Sequence, residues 1–287
     1  MNLLTCASNG HRTVQGIYDK MQTKDQIQLL RLRRGDAPPE NVELLIRWAS
    51  RVNIPAKKTI NQSSGIGLAS DKGRARLVLQ EAGVSVPKTI VWTKPIQDWT
   101  LNFPVVLRPQ FHQGGQNFWL IEDEDELHHT PPPFVGSYFS EFYPKQNEYR
   151  VHVAHGKVLL VNEKRPREGE EDKVNLPVWN HATNDFEFVV LRRSNWPIDE
   201  IRLAIQAVEV LGLDYGAVDI MANPTRTEDG PDHPQCVVCE VNTSPTLEDY
   251  AQGKYAKYFD WLLSGEREHY PLLDSRSYTD YLFIGEG

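Results

Sequence analysis

Two apolar segments near the C-terminal end of the chain, residues 214–223 and 235–242, restrict the fold most strongly. Both are rich in valine and other apolar residues, which is typical of buried β-strands, and a polar loop separates them, so we expect them to pair in a sheet. Neighbouring residues of a strand point to opposite faces, which places Glu240 and Asn242 together on one face. An acid and an amide therefore stand side by side at the carboxyl end of the second strand.

Two cysteines in this strand, Cys236 and Cys239, raise the alternative of a zinc knuckle. A knuckle needs a turn here and two further ligands, and the sequence contains no second Cys-x-x-Cys pair. Strand alternation also turns these two side chains toward opposite faces, which favours buried structural cysteines. Because the chain has only 3 cysteines, no disulfide framework is expected, and the sequence predicts a reduced, cytoplasmic protein.

The pair of Glu240 and Asn242 permits two interpretations on residue type alone. Carboxylate and amide oxygens at a strand end form a suitable site for Mg²⁺. Alternatively, a polar strand end is followed by a Ser-Pro turn and an ordinary capped helix over residues 246–263. The motif by itself does not decide between them.

Charge and hydropathy exclude several classes of protein. The 287 residues carry a net charge of −8, which argues against a general polyanion-coating role, so no nucleic-acid partner is expected. No segment reaches the roughly 18 to 20 consecutive apolar residues that a membrane span needs. The apolar stretch after Met1 is too short for a signal peptide.

The rest of the chain alternates strand and helix patterns. Short apolar runs around a helix-compatible segment predict a small α/β domain at the start of the chain. Residues 60–70 are rich in Gly and Ser and are interpreted as a loop, and residues 71–83 as a helix. From residue 104 the pattern predicts a buried strand, a Gly-containing loop, a returning strand and the start of a short acidic helix, and then an antiparallel β series over residues 136–193. Residues 197–213 have the spacing of an amphipathic helix.

Basic residues stand at two points that suit phosphate binding. Lys72 opens a helix after a Gly-rich stretch, and Arg108 ends an apolar strand before a loop that contains Gly114 and Gly115. Cations and the free backbone N–H groups of such loops bind phosphates, and Asp219 adds a carboxylate for the metal that accompanies them. Neither a Walker A sequence nor GxGxxG occurs, so neither common nucleotide-binding loop explains the pattern.

The order of these motifs resembles the ATP-grasp superfamily, especially its branch of RimK-like amino-acid ligases. The resemblance is carried by DK…GVSVPKT, PVVLRP…GG, YFSEFYPKQNEYRVHV, YGAVDIM and CEVNTSP, and it covers roughly residues 65–265. It implies an ATP-grasp fold, in which two α+β subdomains clamp ATP, preceded by a small α/β domain. The implied units are the N-terminal domain at 1–65, the small subdomain with its linking helix at 66–139, and the large subdomain with the C-terminal helix and tail at 140–287.

The resemblance also implies a nucleotide site. Lys72 and Arg108 contact the phosphates, and Arg108 takes the place of the usual lysine, which keeps the charge but replaces an ammonium by a planar fork. Gly114 and Gly115 belong to a mobile loop over the phosphates. The hinge that holds adenine, followed by the residue that binds the ribose hydroxyls, comprises Glu141, Phe142, Tyr143 and Glu148.

A metal site and catalytic cations complete the implied set. Asp219, Glu240 and Asn242 hold one or two Mg²⁺ ions that bridge the phosphates. Phosphorylation turns a carboxylate into an acylphosphate, which an amine can attack, and the oxyanion of that second step needs a cation. The candidates are Arg150 and Arg165, and Lys164 is an equally close alternative to the latter.

Three functions are consistent with these motifs. The leading hypothesis is a carboxylate–amine ligase that uses ATP with Mg²⁺ or Mn²⁺, acts on small-molecule or peptide substrates and releases ADP and phosphate. Arg108 and the modest glycine content of its loop motivate the alternative of a non-catalytic, ATP-binding regulatory module. A kinase-like use of the same clamp ranks last.

Other polar residues are expected to lie at the surface. His112 is interpreted as a surface residue of the loop rather than as a base. Five arginines of the N-terminal part could hold an acidic substrate, but a surface position is favoured for them. They are Arg31, Arg33, Arg34, Arg47 and Arg51.

Overall fold

In the residues that the structure describes, the fold comprises three β-sheets and six α-helices. The computed structural model describes residues 1–7, 10–31, 36–92, 99–112, 115–130, 136–179, 185–224 and 235–265. Within these residues, no helix is long and apolar enough to cross a membrane. Cys6, Cys236 and Cys239 are free thiols, the first buried and the other two half-buried.

The N-terminal sheet is parallel and contains the first four strands. Its elements are β1 (Asn2–Cys6), α1 (His11–Lys20), β2 (Ile27–Leu30), β3 (Val42–Trp48) and β4 (Ala56–Ile60), and the strand order is β2-β1-β3-β4. The apolar runs of β1 and β3 are buried almost throughout, as expected for the central strands of a parallel sheet. This is the small α/β unit that the sequence pattern predicts.

Two helices follow the N-terminal sheet, where a loop and one helix are expected. The prediction of a loop at residues 60–70 is wrong, because α2 (Ser63–Ser70) is helical. An added Cβ at Gly65 would lie 2.8 Å from two backbone carbonyl oxygens at the end of helix α5 (Ile198–Val210), so this glycine permits close packing of the two helices. The second helix, α3 (Lys72–Glu81), is capped by Asp71, whose side chain accepts from the Arg74 backbone N–H.

The second sheet is antiparallel and contains four short strands. Its elements are β5 (Thr89–Val91), β6 (Val105–Arg108), β7 (Trp119–Ile121), α4 (Glu124–His129) and β8 (Tyr138–Glu141), and the strand order is β5-β8-β6-β7. Val105, Leu107, Ile121 and Phe139 form its core. Arg108 is therefore the last residue of strand β6, as the apolar run PVVL predicts.

The third sheet has five antiparallel strands and carries most of the polar side chains discussed below. Its elements are β9 (Asn147–Ala154), β10 (Lys157–Pro166), β11 (Phe186–Val190), β12 (Tyr215–Ala222), β13 (Cys236–Asn242) and α6 (Asp249–Ser264), and the strand order is β11-β10-β9-β12-β13. Helix α5 packs on one face of the sheet. Helix α6 joins the other face to the N-terminal unit, through contacts of Tyr255 and Phe259 with Trp48 and Tyr215.

A β-bulge in β13 decides which side chains of this strand share a face. Asp219 pairs with Glu240, but Ile220 pairs with Val238, so Cys239 is the additional residue. The carbonyl oxygen of Cys239 accepts hydrogen bonds from both Nε and Nη2 of Arg76. Cys236 and Cys239 are only half-buried, whereas the sequence predicts buried cysteines. Cys239 has a structural role, because its backbone carbonyl binds Arg76.

Candidate active site

The acids and amide of the predicted metal set lie on one face of the third sheet. Asp219 is central, since it pairs with Glu240 of β13 on one side and with Arg150 of β9 on the other. Asn242 follows Glu240 at a distance of two residues and therefore shares its face. Its Nδ2 donates to Asp219 Oδ2 at 3.1 Å and to Glu240 Oε1 at 2.9 Å. The structure thus brings together the three residues of this set.

Arg150 is bound to Asp219 by a bidentate ion pair. Arg150 Nε donates to Asp219 Oδ1 at 2.6 Å, and Nη2 donates to Oδ2 at 2.8 Å. Burial disfavours the charge on the guanidinium, but the carboxylate outweighs it and raises the pKa of Arg150. Burial also raises the pKa of Asp219, against the effect of Arg150. Since both carboxylate oxygens accept hydrogen bonds, we treat Asp219 as ionised.

Lys72 reaches the same set from the first turn of α3. Its Nζ donates to the Val241 carbonyl oxygen at 2.9 Å and lies 3.7 Å from Glu240 Oε2. The lysine is buried, with 8% of its surface exposed, so its charge is held close to the carboxylate. Burial alone would raise the pKa of Glu240, but Lys72, His112 and the Asn242 hydrogen bond lower it.

A third acid, Glu148, lies between two lysines. Lys145 Nζ donates to its Oε2 at 2.6 Å, and Lys164 Nζ donates to its Oε1 at 2.8 Å. Burial raises the pKa of Glu148, but the two ammonium groups outweigh it and lower the pKa to about 2. The residue predicted to bind the ribose hydroxyls is therefore ionised and fixed in position.

Arg165 does not lie at the site, whereas its neighbour Lys164 does. Arg165 donates to Glu163, two residues earlier on the same strand, and half of its side chain is exposed. Because strand neighbours point to opposite faces, Lys164 stands on the face that carries Glu148 and Arg150. Of the two cations that the sequence leaves open, Lys164 is the one that lies on this face.

Arg108 ends β6 and turns toward the loop that follows. Its Nη2 donates to the Gln116 carbonyl oxygen at 3.0 Å. Its Nε is buried and has no hydrogen-bond partner within the part of the chain that the structure describes. An orphan donor on a cation suits an anionic ligand. Gly115 has a φ of 75°, a conformation that favours glycine, and Gly114 lies outside the described residues.

The predicted hinge connects the second sheet to the third. Glu141 ends β8, and its Oε1 accepts from the backbone N–H of Asn102 at 2.9 Å. Phe142 donates its backbone N–H to the Pro104 carbonyl oxygen, and the Tyr143 hydroxyl donates to the Gln235 carbonyl oxygen at 2.6 Å. The hydrogen bonds of Glu141, Phe142 and Tyr143 thus hold the connection between the two sheets. None of these hydrogen bonds is to Asp219, Glu240 or Asn242.

His112 is half-buried and not a surface residue, so that expectation is wrong. Its Nε2 lies 2.8 Å from the Tyr138 hydroxyl, and burial, assisted by Arg108, lowers its pKa to about 3. Tyr138 in turn lies under the guanidinium of Arg76, with 5.3 Å between the cation and the ring centroid. The surface expectation also fails for Arg47, which is 4% exposed and donates to two backbone carbonyls. Arg33 and Arg34 lie outside the described residues.

The donor set suits a magnesium ion that is shared with phosphates, but not a site built from protein ligands alone. No group of three His, Cys, Asp or Glu side chains with a metal-binding arrangement occurs among the described residues. Mg²⁺ is commonly held by one or two carboxylates together with substrate phosphates. The Asn242 amide nitrogen stands where Asp219 and Glu240 converge, and the amide oxygen accepts from Lys72 Nζ at 3.4 Å. To act as a metal ligand through its oxygen, the amide would rotate by half a turn and exchange these hydrogen bonds.

Sequence reasoning missed two residues of this site. Lys145 was not singled out, although a lysine three residues before Glu148 is within reach of it. Arg76 was also missed, and no motif marks it: it lies on the buried side of α3, one helical turn after Lys72. The helical spacing of four residues is a signal that could have found it.

Comparison with known proteins assigns the chain to a family. A family model described as a RimK-like ATP-grasp domain matches residues 69–257. A protein of Vibrio atlanticus named probable alpha-L-glutamate ligase is 30% identical over 200 residues, which are 66% of this chain and 60% of the relative. A protein of the same name from Teredinibacter turnerae is 29% identical over 208 residues, or 68% of this chain and 63% of the relative. The chain thus spans less than two thirds of the length of these relatives.

Solved structures agree on the fold. The D-alanine–D-alanine ligase of Bacillus anthracis complexed with ATP superposes with a TM-score of 0.61 at 17% identity, over 92% of this chain and 95% of the other. The predicted ATP-grasp fold is therefore confirmed. The exact domain boundaries, after residues 65 and 139, stay predictions. Because the family model matches more than half of the chain, this chain belongs to the family of RimK-like ATP-grasp proteins.

Proposed function

We propose that this chain is an ATP- and Mg²⁺-dependent ligase, which joins a carboxylate to an amine through an acylphosphate and releases ADP and phosphate. The observation that carries the proposal is the row formed by Glu240, Asp219 and Arg150 on three adjacent strands, with Lys72 against it. This row supplies two acids for a metal, a cation for the phosphates in Lys72 and a cation for the developing oxyanion in Arg150.

Nucleotide and metal would be held by different parts of this site. Asp219, Glu240 and the Asn242 amide oxygen would hold the metal, and Mg²⁺ bound there would neutralise phosphate charge. Lys72 and the orphan Nε–H of Arg108 contact the phosphates, together with Gly115 and its neighbour Gly114. For adenine and ribose, the proposed residues are Glu141, Phe142, Tyr143 and Glu148.

In the first step, the substrate carboxylate attacks the terminal phosphorus of ATP and the bond to ADP breaks. Both reactants are anions, so their repulsion raises the barrier. Lys72, held within the site by the Val241 carbonyl, and Arg108 reduce that repulsion. Glu148 keeps the ammonium of Lys164 on the same face, which adds a third cation.

In the second step, the amine attacks the acyl carbon, the carbon–oxygen bond to phosphate breaks, and the nitrogen loses its surplus protons to solvent. Negative charge develops on the carbonyl oxygen during the attack. Arg150 is fixed by two hydrogen bonds to Asp219 and can stabilise this oxyanion without reorganisation. Lys164, and not Arg165, is the second proposed cation.

The names of the relatives suggest L-glutamate as the first carboxylate or amine to test. The proposed substrates are amino acids or peptides. We also propose a reducing, cytoplasmic location, which agrees with the absence of any disulfide between the three cysteines.

Phosphate release tests this function directly. The full chain is incubated with ATP, Mg²⁺, L-glutamate and single amino acids or short peptides, and products are identified by mass spectrometry. We expect phosphate and ADP in equal amounts with a new amide. Glu240→Gln should reduce turnover by roughly 100-fold or more, since it removes a charge from the metal set. The control is Glu209→Gln, an exposed position on α5.

Two results would contradict the proposal. Binding of ATP without ADP formation across all substrate pools would favour a non-catalytic regulatory module instead. A stable phosphorylated product without free phosphate would identify a kinase.

A further inference from the structure

Two cations of helix α3 bind the backbone on either side of Glu240. Arg76 Nε and Nη2 donate to the carbonyl oxygen of Cys239 at 3.1 and 2.9 Å. Lys72 Nζ donates to the carbonyl oxygen of Val241 at 2.9 Å. The acid between these two carbonyls is thus attached to α3 through both of its neighbours. Lys72 has a proposed role at the phosphates, whereas none of the roles proposed above uses Arg76.

The carbonyl that Arg76 binds belongs to the additional residue of the β-bulge in β13. Val238 and Val241 both lie in the hydrophobic cluster that packs against α5, although they are three positions apart. In a regular strand, an odd separation turns two side chains to opposite faces. The bulge at Cys239 removes this conflict and leaves Glu240 on the face opposite to both valines. It therefore decides which face the acid occupies.

The backbone of Cys239 depends on Arg76 for hydrogen bonds. A bulged residue is left unpaired in the ladder between its strand and the next. Arg76 donates two hydrogen bonds to its carbonyl, and a charged donor makes these bonds stronger than neutral ones. Loss of both bonds would remove what holds the bulge at this position. A shift of the strand by one residue would then turn Glu240 and Asn242 away from Asp219.

Packing fixes the guanidinium of Arg76 in this orientation. Arg76 is 6% exposed, and its guanidinium carbon lies 5.3 Å from the ring centroid of Tyr138. Tyr138 belongs to the second sheet and is fully buried, and its hydroxyl lies 2.8 Å from His112 Nε2. The arginine is therefore enclosed between the second sheet and the bulge of the third.

Arg76 keeps its contacts when Lys72 changes partners. Lys72 is the lysine proposed for the phosphates, so a bound nucleotide would compete with the Val241 carbonyl for its ammonium. Arg76 lies one helical turn later on α3, and its Nε and Nη2 are already occupied by Cys239. It can therefore hold the strand next to Glu240 while Lys72 binds the nucleotide.

We propose that Arg76 is a positioning residue of the metal site, which fixes the bulge at Cys239 and thereby keeps Glu240 and Asn242 turned toward Asp219. Arg76 itself touches neither metal nor substrate. Its role in catalysis rests on the proposed ligase function, but its effect on strand β13 does not. Loss of Arg76 weakens binding of the metal because it disturbs two of the metal's proposed ligands at once.

A binding measurement tests the effect on the metal. Calorimetry gives the Kd of the nonhydrolysable ATP analogue AMPPNP, once with excess Mg²⁺ and once with EDTA. The gain in affinity due to Mg²⁺ should be roughly tenfold or more smaller in Arg76→Met than in wild type. The Kd in EDTA should stay within about twofold of wild type, since Arg76 does not contact the nucleotide. The matched control is Arg74→Met, at an exposed position of the same helix, and it should behave as wild type.

Kinetics distinguish positioning from general damage to the fold. The Mg²⁺ concentration for half-maximal turnover should rise by roughly tenfold or more in Arg76→Met. At saturating Mg²⁺, kcat should return to within about threefold of wild type, because the metal selects the correctly oriented strand. Arg76→Lys keeps the charge and one donor, so it should recover part of the lost affinity. A loss of kcat that Mg²⁺ does not restore would show a merely structural role and overturn the proposal.

Hydrogen exchange keeps the inference testable if the ligase function fails. In the nucleotide-free chain, the peptide that covers residues 236–242 should exchange roughly tenfold faster in Arg76→Met than in wild type, and no faster in Arg74→Met. If Arg76→Met does not fold, Arg76→Lys serves for the same comparison, with a smaller acceleration expected. A wild type that neither binds AMPPNP nor forms ADP would refute the ligase function alone. Exchange equal to that of wild type in the Arg76 variants would refute the positioning role.

Discussion

Arg150 and Asp219, on adjacent strands of the third sheet, form two parallel hydrogen bonds of 2.6 and 2.8 Å. The pair lies between Glu240 of β13 and Asn162 of β10 in one row across the sheet. Its position within the sheet also means that either partner, left alone, would be a buried charge.

The first prediction concerns the stability of this pair. Arg150→Met should lower the free energy of unfolding by about 3 to 5 kcal/mol, because it leaves Asp219 charged and unpaired. Arg150→Met combined with Asp219→Leu should be more stable than Arg150→Met alone. Urea denaturation of the wild type, both single variants and the double variant measures the coupling. Additive effects of the two changes would contradict the prediction.

The second prediction compares the neighbours Lys164 and Arg165. Lys164→Met should reduce turnover by roughly 100-fold, because it removes a cation from the face that carries Arg150. Arg165→Met should stay within about twofold of wild type, since Arg165 pairs with Glu163 on the other face and exposed ion pairs contribute little. Phosphate release measures both, with circular dichroism as a check on folding. Equal losses would show that strand alternation does not govern this part of β10.

The third prediction follows from the low pKa of Glu148. Its pKa falls from 4.5 to about 2 because burial is outweighed by Lys145 and Lys164. A lowered folded-state pKa stabilises the protein fully above pH 4.5, and this contribution is lost as the pH falls toward 2. Glu148→Gln should therefore lose less stability than wild type between pH 4.5 and 2. Urea denaturation at several pH values gives the slope, and parallel slopes would contradict the assignment.

The fourth prediction concerns the unexpected helix α2. Gly65→Ala should destabilise the protein by about 1 to 3 kcal/mol, since the new Cβ would meet the backbone oxygens of Leu211 and Gly212 at 2.8 Å. Gly253→Ala, in helix α6, is the matched control because nothing lies within 4 Å of its added Cβ. It should stabilise by about 0.5 to 1 kcal/mol. Thermal unfolding of both variants distinguishes the two positions, and a neutral Gly65→Ala would mean that the helices can separate at little cost.

Local patterns in the sequence were sufficient for much of the fold. The apolar runs of β1, β3, β12 and β13 and the three-to-four spacing of α5 predicted those elements, because burial of one face imposes a fixed period on strands and helices. The same period placed Glu240 and Asn242 on a common face. The motif order supplied the family, which the match over residues 69–257 confirms.

Contacts between distant segments decided the rest. Residues 63–70 form helix α2, whose Gly65 packs on the end of α5, a contact across more than 140 positions that no local pattern reveals. Strand register put Lys164 beside Glu148, whereas Arg165 meets Glu163 two residues earlier on its own strand. It likewise set Arg150 between Asp219 and Asn162. The sequence by itself determined which residues carry charge and which faces they share, whereas the pairing of strands determined which charges meet, since hydrogen bonds between strands fix the distances across a sheet.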